Sequence, residues 1–187
     1  TLEHPENFNP ESVTTGDFTG NGDLNLSVSW NESQSTVAIY EAGDGSSPIH
    51  TINYGDLSDG IETEIQDFYP TPVENVGDVN NDSVDDLLVS ASQSSASTSA
   101  FLYLGGSSLS TQPDEVVNLD GLLYAGSSIQ RLGDINDDGI DDFVVGVGSG
   151  LQTGAYVYYG QDGTPDFSGP DLNITLNPGS NENLSIF

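Results

Sequence analysis

Two residue types are missing from this 187-residue chain: it has no cysteine and no methionine. Without cysteine there is no disulfide frame, thiolate nucleophile, iron–sulfur cluster or cysteine-held zinc, so the redox compartment is not written in the sequence. Basic residues are almost missing too. Arg131 stands alone against 30 Asp and Glu, for a formal net charge of −29. A surface for nucleic acid or anionic lipid needs Lys and Arg against the phosphates, so both partner classes are excluded. No stretch approaches the ~18–20 consecutive apolar residues of a membrane-crossing helix. The chain opens at Thr1 with no signal peptide, as expected of a processed protein or an excerpt.

The acidity does not make the chain disordered. Hydrophobic residues are 34% of it, and 22 Gly and 9 Pro punctuate short apolar runs. Such one-sided charge opposes a compact fold unless salt or bound cations screen it, which fits a salty or calcium-rich niche. The supply of Ser, Thr, Asn and Gly suits a secreted or surface protein.

The main signal is internal repetition. Asp17-Phe-Thr-Gly-Asn-Gly-Asp-Leu-Asn25, Asp78-Val-Asn-Asn-Asp-Ser-Val-Asp-Asp86 and Asp134-Ile-Asn-Asp-Asp-Gly-Ile-Asp-Asp142 are versions of one loop, each preceded by Gly (Gly16, Gly77, Gly133). An aromatic stands ahead of each (Phe8, Phe68 or Tyr69, and Tyr124). β-like runs follow at Leu24–Trp30, Leu87–Ser92 and Phe143–Val147, then at Thr36–Tyr40, Ala100–Leu104 and Ala155–Tyr159. Closing runs lie at Ile49–Asn53, Val116–Leu119 and Leu172–Leu176. Alternation of β-branched and aromatic residues between Gly, Asn, Asp and Pro predicts strands. The fold class expected is all-β, with three repeats of about four antiparallel strands each, the blade of a β-propeller. A β-sandwich is the alternative, but it has no reason to repeat one acidic loop.

The repeats divide the chain at 1–60, 61–120 and 121–180. Residues 181–187 form the start of a next repeat or an assembly strand, because Phe187 falls where Phe8 and Tyr124 fall. Three blades do not close a ring of ~4–8, so the array is expected to be open, part of a larger propeller, or completed by other copies.

Eleven of the 20 Asp residues sit in the three loops. Carboxylates so close repel, and a cation between them is the physical remedy. The third loop offers oxygens of Asp134, Asn136, Asp138 and Asp142 in its first, third, fifth and ninth places and the Ile140 carbonyl in its seventh. Gly139 permits a sharp turn. Hard oxygen donors at this spacing suit Ca²⁺; Zn²⁺ would want His or Cys. The second loop repeats the set with Asp78, Asn80, Asp82, Val84 and Asp86, but Ser83 replaces the turn glycine. The first, with Asp17, Thr19, Asn21, Asp23 and Asn25, has two carboxylates. Up to three Ca²⁺ are expected, with affinity falling from third loop to first. Asp85, Asp137 and Asp141 fall off the ligand pattern and read as solvated charges or supporting groups. An EF-hand is excluded by Val145 where its bidentate Glu belongs and by the absence of flanking helices.

The stretch Tyr124-Ala-Gly-Ser-Ser-Ile-Gln-Arg-Leu-Gly-Asp-Ile-Asn-Asp-Asp-Gly-Ile-Asp-Asp-Phe-Val-Val-Gly146, followed by Gly154-Ala-Tyr-Val-Tyr-Tyr-Gly160, resembles the FG-GAP repeat of integrin α-subunit propellers. Tyr124-Ala-Gly126 stands near the family's Phe-Gly, while Gly146-Val147-Gly148 and Ser90-Ala91-Ser92 depart from its Gly-Ala-Pro. The resemblance covers nearly the whole chain, and loosely the first repeat. It implies propeller blades with calcium in the loop joining the first two strands of each, and partner binding on other surfaces. No residue matches a ligand site of that family.

Catalytic signals are few. His4 and His50 are the only imidazoles, and no Ser/His/Asp spacing or Gly-x-Ser-x-Gly stands out. Arg131 is placed to pair with a neighbouring carboxylate. Trp30 and the tyrosines at 40, 103, 156, 158 and 159 read as packing residues, with a sugar-binding platform as the alternative. Of the glycosylation sequons, those at Asn31, Asn173 and Asn183 are the candidates, since Asn25 and Asn81 lie inside the loops. The function expected is a non-enzymatic, extracellular or cell-surface repeat protein, stabilised by calcium, with a structural or adhesive role. Its expected partners are neighbouring repeats or its own copies, end to end in a ring or filament, with a surface protein or glycan as ligand. The alternative is a carbohydrate- or protein-binding module of a larger secreted protein or enzyme.

Overall fold

The computed structural model describes residues 10–30, 36–45, 47–53, 68–93, 98–117, 119, 128–149 and 152–176. Among them are twelve strands and no helix. β1 (Pro10–Gly16), β2 (Asn25–Trp30), β3 (Thr36–Glu41) and β4 (His50–Asn53) form one sheet, paired in that order. β5 (Phe68–Gly77), β6 (Asp86–Gln93), β7 (Thr98–Tyr103) and β8 (Glu115–Val117) form the second. β9 (Ser128–Gly133), β10 (Asp142–Ser149), β11 (Gln152–Tyr158) and β12 (Leu172–Leu176) form the third. Every neighbouring pair is antiparallel, so each sheet is a four-stranded meander.

The side-chain pattern explains the stacking. In the middle sheet Leu87, Val89, Phe101 and Tyr103 face one way, while Leu88, Ala100, Leu102 and Val117 face the other. A strand covered on both faces reads as a continuous apolar run, as Leu87-Leu-Val89 and Phe101-Leu-Tyr103 do. The first set packs on Val37, Ile39 and Ile52 of the first sheet, and Ser27 and Ser29 keep that face shallow. The second set packs on Phe143, Val145 and Tyr158 of the third sheet. Phe167 closes this second core edge-on, its ring centroid 5.0 Å from Phe143 and 6.0 Å from Tyr158. The cores therefore lie between sheets. Each large side chain so buried contributes about 1.5–3 kcal/mol.

The sheets converge where β1 meets β5 and β5 meets β9. Three meanders stacked face to face in chain order are propeller-like blades, as the repeats led one to expect, and the two-sheet sandwich is ruled out. The predicted second, third and fourth strands of each repeat form within a few residues of their expected limits. The leading aromatics Phe8 and Tyr124, together with Phe187, lie outside the described residues.

Two glycines at the ends of third strands let neighbouring elements touch. A Cβ on Gly105 would run into the Asp85 carbonyl and the Val84 side chain, and one on Gly160 into the Asp141 carbonyl and the Ile140 side chain. Gly160→Ala is expected to destabilise the protein by about 1–3 kcal/mol through overpacking. Thermal melting would show this as a fall of several degrees, whereas Gly163→Ala, in open space but at positive φ, should cost about 1–2 kcal/mol by strain alone.

Candidate metal-binding loops and the joints between blades

Each acidic loop joins the first strand of a blade to the second. It is closed by a pairing of the glycine before it with the residue in its ninth place: Gly16 with Asn25, Gly77 with Asp86, Gly133 with Asp142. In blades 2 and 3 a bulge lies just before that glycine, which sits at φ 84° in Gly77 and 70° in Gly133.

Inside the loop, side-chain oxygens hold backbone amides. In the third loop Asp134 accepts the N–H of Asp138 at 3.0 Å and of Gly139 at 2.8 Å. Asn136 accepts the same Asp138 N–H at 3.0 Å and donates its amide to the Asp138 carboxylate at 2.8 Å. The second loop reproduces this with Asp78, Asn80 and Asp82, at 2.9 Å and 2.8 Å from Asp78 to the amides of Asp82 and Ser83. In the first, Asp17 holds the amides of Asn21 and Gly22. In the second and third loops the first- and third-place oxygens thereby share the N–H of the fifth residue, whose carboxylate takes the third-place side-chain amide. Thr19, in the third place of the first loop, has an enclosed hydroxyl with no hydrogen-bond partner.

This wrapping needs left-handed backbone twice. The sixth place holds Gly22, Ser83 and Gly139 at φ 84°, 71° and 92°. The suspicion that Ser83 occupies a glycine's conformation is therefore correct. The fourth place is left-handed as well, with Gly20 at 67°, Asn81 at 63° and Asp137 at 62°. Asn and Asp are the non-glycine residues that enter this region most readily, so Asp137 has a conformational reason to be where it is.

The ninth-place side chains are buried and serve as braces. Asp142 accepts the N–H of Ile135 at 2.9 Å and of Gly160 at 2.9 Å, tying the loop to the end of the third strand. Asp86 does the same with Val79 and Gly105, both at 2.8 Å. Burial pushes the Asp86 carboxyl up to about 7 against the two amide bonds that favour its charge, and Asp82 and Asp78 add to the rise. In blade 1 the brace is Asn25, which accepts the Phe18 N–H at 3.0 Å. Its amide nitrogen is a donor and has no partner; it cannot accept the equivalent third-strand N–H, that of Ala42, which donates to the Leu24 carbonyl instead.

The eighth place links blades. Asp85 of the second loop accepts the N–H of Asp17 at 2.9 Å and returns its own N–H to the Asp17 carbonyl at 3.1 Å. Asp141 repeats the clasp on Asp78, at 3.0 Å and 3.1 Å. A side chain three residues ahead of the loop supports each acid: Asn75 bonds Asp85 at 3.1 Å, and Arg131 bonds Asp141 at 2.6 Å while lying 3.8 Å from Asp85. Arg131 thus pairs as expected, and across a joint. Sequence reasoning read Asp85 and Asp141 as solvated or supporting charges. The contacts that define them are 68 and 63 residues away. It also passed over Asp114 and Asp171, which accept the amides of Leu104 and Tyr159 at 2.9 Å and 2.8 Å; their recurrence just ahead of the fourth strand was the available signal.

The remaining candidates fall as follows. His50 is half-buried and bonds the Ser110 carbonyl at 2.9 Å. Trp30, Tyr40, Tyr103 and Tyr158 are buried. Asn173 is exposed on β12, where its side chain accepts the Thr175 hydroxyl at 2.9 Å, and Asn31, Asn183 and His4 lie outside the described residues. Among the described residues no three carboxylates or imidazoles make a metal centre by themselves, so a cation in these loops would also draw on amide and carbonyl oxygens. That donor chemistry is hard and oxygen-only, as Ca²⁺ requires.

No protein-family model matches the chain. Similar curated proteins include integrin alpha-8 of Mus musculus, 30% identical over 153 residues, and integrin alpha-8 of Gallus gallus, 29% identical over 160 residues. The alignments cover 73% and 76% of this chain but 13% and 14% of those proteins, so the chain spans about an eighth of the relatives it matches.

Two outcomes follow from the loop geometry. Ser83→Gly removes a left-handed side chain costing about 1–2 kcal/mol and adds glycine's entropy of about 0.5–1 kcal/mol, for a net gain in stability that melting would register as a rise of a few degrees. Burial lets Asp86 keep its proton to about 7 in the folded state against 3.8 for a free carboxyl, so its contribution is full below pH 3.8 and is lost as pH rises to about 7. Denaturation midpoints in chelator should show this fall between those pH values, and Asp86→Asn should flatten it.

Proposed function

We propose that the protein is an extracellular, non-enzymatic blade array whose acidic loops bind Ca²⁺ and stiffen the blades for a structural or adhesive role. The carrying observation is the threefold recurrence of one wrapped loop at one place in the fold, with the first-place carboxylate holding the fifth- and sixth-place amides in each. Asp134, Asn136, Asp138 and the Ile140 carbonyl would hold the ion in blade 3, and Asp78, Asn80, Asp82 and the Val84 carbonyl in blade 2. Asp142 and Asp86 would brace the sites and add a remaining lone pair. Blade 1 would bind most weakly through Asp17, Thr19, Asn21 and Asp23, with Asn25 as its brace. A divalent ion there offsets like-charge repulsion that the chain's single Arg cannot.

The similarity to integrin alpha-8, a cell-surface adhesion type by its name, supports a location outside the cell and a partner that is another protein. No helix among the described residues is long and apolar enough to cross a membrane. A carbohydrate platform has less behind it, because four of the aromatics it would need are buried. Partners of the array are neighbouring repeats, in preference to end-to-end copies of the chain.

Calcium titration with thermal melting tests the reading. Saturating a site a hundredfold above its Kd stabilises by about 2.7 kcal/mol, a rise of several degrees for a chain of this size. Asp134→Ala and Asp78→Ala should each lose part of that calcium-dependent rise, Asp134→Ala the more. A wild-type melting point indifferent to millimolar calcium, with no heat of binding, would refute it.

A further inference from the structure

The first loop departs from its sisters at the fifth place. Asp82 and Asp138 stand there in the second and third loops, and Asn21 in the first, followed by Gly22. Asn21-Gly22 is the only Asn-Gly pair in the chain, and both residues are exposed. Gly22 has no Cβ to shield its nitrogen, and the space where one would stand is open. That nitrogen is the nucleophile in the chemistry by which an asparagine loses its side-chain amide.

Three groups of the loop are arranged for the attack. The Gly22 N–H donates to Asp17 Oδ2 at 2.8 Å, so a base already holds the proton that must leave. The electrophile is Asn21 Cγ, and its Oδ1 accepts the Asp23 N–H at 2.8 Å, so a donor stands where negative charge develops. The ring closed by that second bond contains both Asn21 Cγ and the Gly22 nitrogen, which keeps them near each other. The other oxygen of Asp17 accepts the Asn21 N–H at 3.2 Å and fixes the turn.

The product has a place prepared for it. In the sister loops the third-place amide donates to the fifth-place carboxylate, Asn80 to Asp82 at 2.9 Å and Asn136 to Asp138 at 2.8 Å. In the first loop the third place is Thr19, whose enclosed hydroxyl has no partner. Asn21 carries an NH2 donor where its sisters carry an acceptor oxygen. An acid at position 21 would give the Thr19 hydroxyl its acceptor.

We propose that Asn21 is a self-modification site, converted to aspartate by its own loop. The Gly22 nitrogen bonds to Asn21 Cγ as its proton passes to Asp17. The Cγ–Nδ2 bond then breaks, the departing nitrogen takes up that proton, and ammonia leaves a succinimide behind. Water opens the ring at Cγ, breaking the new C–N bond, and the peptide returns with a carboxylate at position 21. Water is consumed and ammonia released. Opening at the backbone carbonyl would route the chain through the side chain and pull the Gly22 and Asp23 amides from their partners, so the folded loop selects aspartate. The first loop is thus encoded with two carboxylates and completed to three, independently of whether it holds calcium.

Mass spectrometry of the full chain, aged in neutral buffer with chelator, tests it. Conversion should appear at Asn21 ahead of every other asparagine, about tenfold faster in the folded protein than in urea, and as aspartate in preference to isoaspartate. Asp17→Asn should slow it about a hundredfold. A folded chain that converts no faster than the unfolded one, or that accumulates mainly isoaspartate, would overturn the inference. So would an Asp17→Asn variant that keeps both its strand signal and its rate; where that variant loses its strands, the comparison with urea decides alone. The fit of the product is read separately. The change in melting temperature on Asn21→Asp should be several degrees more favourable with Thr19 present than in the Thr19→Val background, and equal changes would overturn the prepared place.

Discussion

A carboxylate accepting a backbone N–H is the interaction on which this structure depends. With 30 acids and one Arg, pairing acid with base is arithmetically closed to the chain. Its Asp side chains turn to the main chain, where each donor is fixed in place and a charge-assisted bond is worth about 1.5–3 kcal/mol. First-place acids wrap the loop, ninth-place acids brace it to the third strand, and eighth-place acids fasten it to the preceding blade. One chemistry thus operates at three levels of the architecture. Neighbouring carboxylates still repel, and the rise at Asp86 shows what burial adds to that repulsion. The same amides that favour the charges also gather the oxygens a hard cation would need.

Much of this was legible from the sequence, and the remainder was hidden for definite reasons. The second, third and fourth strands announce themselves by β-branched and aromatic alternation, as in Val37-Ala-Ile-Tyr40, whose two faces are both buried. The first strands do not. Pro10-Glu-Ser-Val-Thr-Thr-Gly16 and Ser128-Ile-Gln-Arg-Leu-Gly133 are polar, and they are strands because neighbours and the following loop hold them. Ser83 was legible because the glycines of the sister loops mark the conformation it must adopt. Asp85 and Asp141 were misjudged because a periodic reading compares residues within a repeat, whereas their partners lie one repeat back. The resemblance to integrin propellers pointed to the right kind of sheet; the clasp came only from coordinates.

Blade 1 departs from its sisters consistently. It has Leu24 for the clasping acid, Asn25 for the brace and Ile49 where Asp114 and Asp171 stand. It also lacks the bulge beside its leading glycine. The third-strand amide that a ninth-place acid would accept, that of Ala42, here donates to the Leu24 carbonyl instead. Residue choice therefore tracks the hydrogen-bond donors available in each blade, which is why the first repeat looked merely degenerate when read alone.

The solitary Arg131 has one more implication. Proteases that cut after Lys or Arg find a single scissile bond in the whole chain, and it lies on β9 with its side chain engaged to Asp141 and its backbone paired to β10. While β9 stays paired to β10, that bond is held in a sheet and is a poor substrate; once the edge of blade 3 frays, one cut divides the protein in two. The molecule thus carries its own single-event reporter of local opening, and in a protease-rich medium its lifetime would be governed by how often that one strand lifts away.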